Sequence, residues 1–226
     1  MEIACIGDIH GSPRWREVKE IDCDHYVFVG DYVDSEEFSS EHIIHNLEEI
    51  IEFKLKHSDQ VWLLLGNHDF QYINYPNFRC NGFRPELLES LQKIYSTYSH
   101  LFQVAQQFEN YLFTHAGVTR SWVNKHVNDS AERLDEVLNF MAQSEAGISA
   151  LSEVGIARGG KCNVGGPLWC DYHAELLRDP IPNLHQVVGH SRSKYLLHHD
   201  LAGINLWNVN YLAYSDEPIF ILNINS

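Results

Sequence analysis

Residues 3–11 read Ile3-Ala4-Cys5-Ile6-Gly7-Asp8-Ile9-His10-Gly11, and this stretch sets the reading of the chain. The unbroken apolar run Ile3–Ile6 suits a strand buried on both faces. Glycine ends the run, and a carboxylate and an imidazole follow. The pattern returns at Tyr26-Val27-Phe28-Val29-Gly30-Asp31 and at Val61-Trp62-Leu63-Leu64-Leu65-Gly66-Asn67-His68. Tyr111-Leu112-Phe113-Thr114-His115 and Gln186-Val187-Val188-Gly189-His190 deliver histidines in the same way. Open α/β sheets place ligands beyond the carboxyl ends of their strands, so the repeats predict one shared site at a sheet edge.

Helical spacing of Ile43, Ile44, Leu47, Ile50 and Ile51 predicts a helix over 41–57, with Ser39 or Ser40 as N-cap. A second helix begins near Pro85, with Leu87, Leu91, Ile94, Tyr95 and Tyr98 on one face. Leu134, Val137, Leu138 and Met141 mark a third, and Asp129 and Glu132 are spaced as its capping box. Further strands are expected at 195–199, 204–209 and 219–224. The chain lacks a repeat, a low-complexity tract or an obvious linker, so residues 1–226 read as one α/β domain with a β-rich C-terminal half.

The chain has 226 residues, 44% hydrophobic and 12% aromatic, enough for a sizeable core. Its formal net charge of −15 leaves no basic footprint for a nucleic-acid backbone or an anionic membrane surface. No apolar run approaches the ~20 residues of a bilayer span, and no secretory signal is read at the N-terminus. Five scattered cysteines, none in a C-x-x-C pair, point to a reducing cytoplasm rather than to disulfides.

The polar residues gathered at strand ends are Asp8, His10, Asp31, Asn67, His68, His115 and His190. Carboxylate, imidazole and amide donors without cysteine suit divalent manganese, iron or zinc. Cys162, Cys170 and His173 lack a fourth ligand and make a weak zinc site.

Here the sequence resembles the calcineurin-like metallophosphoesterases. Gly7-Asp8-Ile9-His10-Gly11, Gly30-Asp31-Tyr32-Val33-Asp34, Gly66-Asn67-His68-Asp69, Thr114-His115-Ala116-Gly117 and Val188-Gly189-His190-Ser191 match the family's blocks in order. The branch it looks most like holds the phosphoprotein phosphatases and the bacterial diadenosine tetraphosphatases. Arg158-Gly159-Gly160 and the segment Gly165 to Asp171 also resemble bacterial members. The resemblance implies a metallophosphoesterase-type β-sandwich of mixed sheets flanked by helices. It implies two divalent ions, manganese first and iron or zinc as alternatives. Asp8, His10 and Asp31 would hold one; Asp31, Asn67, His115 and His190 would hold the other. Cations about 3.5–4 Å apart would activate a bridging hydroxide for in-line attack on phosphorus. His68 resembles the family's general acid, oriented by Asp34.

This chain departs from the pattern at Ser35-Glu36, where protein phosphatases of this branch carry Arg-Gly and the arginine contacts phosphate. Arg158, beside two glycines, is the first candidate to replace it, ahead of Arg120, Arg192 and Arg84. Asp69 stands in place of the usual glutamate, and Arg192 in place of a second histidine in the fifth block. The aromatic, basic stretch 70–84 could stack a nucleobase or clamp a phosphorylated side chain, or pack its own rings.

The expected activity is metal-dependent hydrolysis of a phosphoester: a phosphorylated small molecule, a nucleotide or a phosphoprotein. A phosphomonoesterase or Ser/Thr phosphatase-like enzyme comes first, and a dinucleoside polyphosphate hydrolase is the alternative. A non-catalytic metal-binding scaffold would be expected to have lost ligands or the acid, and this chain keeps them.

Overall fold

The computed structural model describes residues 1–127 and 133–224. Its strands are β1 (Glu2–Ile6), β2 (His25–Phe28), β3 (Val61–Leu64), β4 (Phe102–Gln103), β5 (Ala105–Phe108), β6 (Tyr111–Thr114), β7 (His185–Val188), β8 (Leu197–Leu201), β9 (Ile204–Asn208) and β10 (Phe220–Asn223). They form two mixed five-stranded sheets, ordered β10-β1-β2-β3-β4 and β5-β6-β7-β9-β8. In the first, β10 is antiparallel to β1 and the other neighbours are parallel. In the second, β6, β7 and β9 run parallel, while β5 and β8 are antiparallel edges.

The apolar runs face two ways, as the strand period of two requires. Ile3, Cys5, Val27 and Leu64 join Phe113, Val187 and Trp207 in the layer between the sheets. Ala4, Ile6, Tyr26, Phe28 and Leu63 turn to the other side and pack under helices. Val188 and Leu206 alternate in the same way onto the outer face of the second sheet, against Cys170, Tyr172 and Leu176. β1, β2, β3, β6 and β7 are thus covered on both faces, which explains why they read as continuous rather than alternating.

Helix α1 (Ser40–Lys56) starts where expected, with the Ser39 side chain accepting the His42 amide. Its apolar stripe of Ile43, Leu47, Ile50 and Ile51 lies on the first sheet. Helix α2 (Asn67–Ile73) leaves β3 directly, and α3 (Leu88–Thr97) follows a short 3-10 turn opened by Pro85. Helices α4 (Arg120–His126), α5 (Leu134–Met141) and α6 (Glu145–Leu151) precede β7. Asp129 and Glu132, the anticipated capping box of α5, lie outside the described residues. Among the described residues no helix is long and apolar enough to cross a membrane.

The carboxyl ends of the two sheets meet where His115 Nδ1 lies 2.9 Å from Val29 O and His190 N–H donates to Asp8 Oδ1 at 3.0 Å, and within each sheet the ladder runs on past the strands. Val29 N–H donates to Ile6 O at 2.9 Å, Gly189 N–H to His115 O at 2.7 Å and Val209 N–H to Val188 O at 2.8 Å. Bonds that continue past the strands hold the ligand-bearing loops to one another before any side chain is considered.

Phe113 is fully buried between the sheets. Phe113→Ala is expected to lower unfolding free energy by about 3–5 kcal/mol, read from denaturant midpoints at unchanged slope.

Candidate metal centre

Asp8 follows β1, Asp31 follows β2, Asn67 opens α2 just past β3, His115 follows β6 and His190 follows β7. The glycines beside them are there for space. A Cβ on Gly66 would lie 2.1 Å from Asp31 Oδ1, and one on Gly189 would lie 2.2 Å from Asp8 Oδ1. Each missing side chain leaves the volume that a neighbouring carboxylate occupies.

His10, Asp31, Asp34 and His190 have φ of 44, 55, 61 and 60°, a left-handed conformation uncommon outside glycine. Strained backbone concentrates at this one edge, where it turns side chains inward immediately after a strand.

Asp69 holds the arrangement in place. Its Oδ2 accepts the amides of Asp31 at 2.7 Å and Gly66 at 2.9 Å. Its Oδ1 accepts the Tyr32 amide at 3.0 Å and the Tyr95 hydroxyl at 2.7 Å. One buried carboxylate thus ties the ends of β2 and β3 to α3.

Backbone carbonyls set the histidine tautomers. His10 Nδ1 lies 2.9 Å from Val33 O and 2.8 Å from Asp34 O, and His115 Nδ1 lies 2.9 Å from Val29 O. Each Nδ1–H is committed there, leaving Nε2 as a lone-pair donor. His10 Nε2 stands 3.7 Å from Asp31 Oδ2, and His115 Nε2 stands 3.4 Å from the same oxygen. His115 Nε2 is also 2.9 Å from Asn67 Oδ1 and 3.1 Å from His190 Nδ1, which is 3.0 Å from Asn67 Oδ1.

Two groupings among the described residues could hold a metal ion: His10, Asp31 and His68, and Asp31, His115 and His190. Asp31 is common to both. Asp8 belongs to neither; its carboxylate accepts the His190 amide at 3.0 and 3.2 Å and Asn210 Nδ2 at 2.6 Å. Cys162, Cys170 and His173 form no such grouping.

The donor set fits divalent cations. Asp8 and Asp31 are 1% and 2% exposed and, among the described residues, pair with no lysine or arginine, a costly arrangement without a compensating charge. Burial pushes the Asp8 carboxyl up to about 7, opposed by His115 and reinforced by Asp31. Burial works against Asp31 too, but His115, His68, His10 and His190 hold it well below the usual carboxylate range. Burial, with His115 and Arg158 nearby, keeps His190 neutral, the form in which imidazole ligates.

His68 Nδ1 lies 2.9 Å from Asp34 Oδ2, and the two rings of His10 and His68 are 5.0 Å apart. Asp34 also accepts Gln71 Nε2 at 2.5 Å and the Tyr72 hydroxyl. Burial disfavours a charged His68, but Asp31 and Asp34 raise its pKa well above the ordinary value. Sequence reasoning misses the supporting roles of Gln71, Tyr72, Tyr95 and Asn210. For Gln71 and Tyr72 a signal exists: they follow His68 by one helical turn, on the face that meets Asp34.

Arg158 sits behind the His190 loop, with Nε 3.0 Å from Asp171 Oδ2 and its guanidinium on Ser191 Oγ. It is absent from the lining of the cleft of about 660 Å³ that contains His10, Asp34 and His68. Arg84 lines that cleft but is committed to Glu86 at 2.9 Å, Phe38 O at 2.9 Å and Ser40 Oγ at 2.8 Å. Arg120 pairs with Asp179 at 3.3 Å. In the 70–84 stretch the rings pack on one another: Phe83 stacks with Tyr72 and Tyr75, centroids 5.2 and 5.4 Å apart, and carries Arg79 at 4.6 Å.

Residues 1–155 match the calcineurin-like phosphoesterase family, and the chain belongs to it. The catalytic subunit A2 of serine/threonine-protein phosphatase 2B from Saccharomyces cerevisiae is 31% identical over 123 residues. That alignment takes in 52% of this chain and 20% of the yeast protein, so the chain spans a minor part of that relative. The cold-active protein-tyrosine phosphatase of a psychrophilic Shewanella superposes with a TM-score of 0.63 at 17% identity, over 94% of this chain and 72% of that one. A point mutant of a cold-active protein tyrosine phosphatase gives 0.65 at 15%, over 97% and 74%. At such identities the likeness is one of fold.

Asp69→Asn keeps the shape but turns an N–H₂ toward at least one donor. It is expected to cost about 1–3 kcal/mol of stability, measured by thermal or denaturant unfolding.

Proposed function

We propose that this chain hydrolyses a phosphomonoester at a dinuclear metal site, with Asp8, His10 and Asp31 holding one ion and Asp31, Asn67, His115 and His190 the other. The observation that carries the proposal is the buried Asp31 carboxylate, on whose Oδ2 the imidazoles of His10 and His115 converge from separate strand ends at 3.7 and 3.4 Å. Bound divalent ions would supply Lewis acidity toward phosphoryl oxygens and a water acidic enough to attack at neutral pH. Manganese fits the oxygen and imidazole donors, with iron or zinc as alternatives.

In this reading His68 is the general acid. Asp34 binds Nδ1 and leaves Nε2 to give its proton to the departing oxygen. Gln71 and Tyr72 fix the Asp34 carboxylate, so the imidazole is oriented before substrate arrives. Cations on Asp31 would offset part of its charge and bring the acid's pKa back toward neutrality, where a proton donor works best. Arg158, the first candidate in the sequence for the phosphate contact, would reach substrate only by giving up Asp171 or Ser191, and it lies off the lining of the cleft.

Two observations favour a monoester over a dinucleoside polyphosphate. Glu36 and Glu37 line the cleft and have no ion-pair partner among the described residues, so they repel additional phosphates. Phe83, the aromatic of the 70–84 stretch that lines it, is already stacked with its neighbours. The name of the yeast relative, a serine/threonine-protein phosphatase, makes phosphorylated serine or threonine side chains the first substrates to try.

With manganese, wild type is expected to hydrolyse aryl phosphates, and Asp31→Asn to lose both turnover and bound metal by elemental analysis. His68→Asn should retain metal and lose about 10²–10⁴-fold on alkyl phosphates, with a smaller loss on nitrophenyl phosphate, whose leaving group needs no proton. A wild type that binds two ions and hydrolyses no ester would leave the scaffold reading.

Neutralising Glu36→Gln and Glu37→Gln together should raise kcat/KM for dinucleoside tetraphosphate about threefold or more relative to a monoester. The comparison is steady-state kinetics at low ionic strength, and the gain should fade as salt is added.

A further inference from the structure

Among the cleft's lining residues, Arg192 differs from Arg84 in its surroundings. Arg84 is consumed by Glu86 and by the 35–40 loop, whereas Arg192 has no carboxylate partner among the described residues. Its guanidinium instead lies on the face of Tyr214, 3.7 Å from the ring centroid. Such stacking fixes the plane of the cation and leaves its in-plane N–H groups free.

Both members of the pair are anchored. Arg192 lies two residues past His190, and its flanks are held by Asn208 Nδ2 on Ser191 O at 2.6 Å and Ser193 N–H on Asn210 O at 3.0 Å. Tyr214 ends a 3-10 turn (Leu212–Tyr214), and Arg14 binds the carbonyls of Leu212 and of Ser215 just beyond it. Arg14 is in turn fixed by Glu17 at 2.8 Å. An exposed arginine is thereby presented from two sides into the cleft that His10 and His68 share.

We propose that Arg192, carried on the face of Tyr214, is the side chain that binds the substrate's phosphate in this cleft. The inference rests on the phosphoesterase reading above and adds the group that compensates for Ser35-Glu36. A planar cation with free N–H groups matches two phosphoryl oxygens at once. Arg158 cannot do so without giving up Asp171. Arg192 supplies affinity for the phosphate common to substrate, transition state and product, so its loss falls mainly on KM and on product binding.

The test is steady-state hydrolysis of nitrophenyl phosphate with manganese, together with the inhibition constant for inorganic phosphate and the metal content of each variant. Arg192→Ala is expected to raise KM and the phosphate inhibition constant together by about 10–100-fold, at wild-type metal content. Arg192→Lys should recover part of that loss, since a point charge replaces the fork. Tyr214→Leu should weaken phosphate by about 3–10-fold through loss of the stacking face, while Tyr214→Phe stays within about twofold of wild type. Changes within twofold in Arg192→Ala, on an active wild type, overturn the proposal. So does a loss of phosphate affinity confined to Arg158→Ala. A metal-loaded wild type that turns over no ester and binds no phosphate overturns the phosphoesterase reading itself.

Discussion

The site hangs on the loop 29–34, and Asp69 holds that loop. Its carboxylate takes the amides of Asp31 and Tyr32 on one side and of Gly66 and the Tyr95 hydroxyl on the other. From the loop so fixed, Val29 O orients His115, and Val33 O and Asp34 O orient His10. Asp31 supplies the carboxylate at the centre, and Asp34 the partner of His68. One short segment thereby places the central carboxylate, sets the tautomers of two imidazoles and orients the ring of His68. The left-handed residues Gly30, Asp31 and Asp34 let one chain segment face in so many directions.

The electrostatics follow from the same crowding. A chain of net charge −15 is a poor receiver of phosphate from a distance. Within the site, however, two buried carboxylates are surrounded by histidines and backbone donors rather than by lysine or arginine. Deprotonated Asp8 and Asp31 are costly to bury side by side, and bound divalent ions would remove that cost while reversing the local sign. Metal bound there would therefore stabilise the strand-end loops by linkage.

Much of this is legible in the sequence because burial on both faces writes a strand as an unbroken apolar run, and glycine marks where it ends. Each of β1, β2, β3, β6 and β7 ends within a residue or so of its expected boundary, and Asp31, Asn67, His115 and His190 come together as the repeats imply. The rest lacks a local signature. β5, Ala105–Phe108, contains two glutamines, and Gln107 is placed by long-range partners in Asp135 and Leu134. α2 is seven residues long, too short for helical periodicity to show. Asp69 reads as a tolerated replacement in sequence, and its role emerges only when its four donors are seen to come from three chain segments. Arg158 stands out in sequence for its flexible neighbours, but Asp171, close in space, cannot be assigned to it from spacing alone.

Charge placement around the cleft is a matter of which arginines remain free. Replacing Arg-Gly by Ser35-Glu36 removes a cation next to Asp34 and adds an anion. Arg84 reaches the vacated neighbourhood, but it binds the carbonyls of Ser35 and Phe38 and the Ser40 hydroxyl, shaping the loop rather than meeting a ligand. A cation held by three backbone and hydroxyl acceptors and a carboxylate has little left for phosphate. Arg192, at the position where other members of the superfamily carry a further histidine, lies against an aromatic face. The two departures from the family pattern, an arginine lost after the second block and one gained in the fifth, thus fall at the same cleft. The cleft therefore carries an acid, Glu36, on the Asp34 side and a cation, Arg192, on the His190 side.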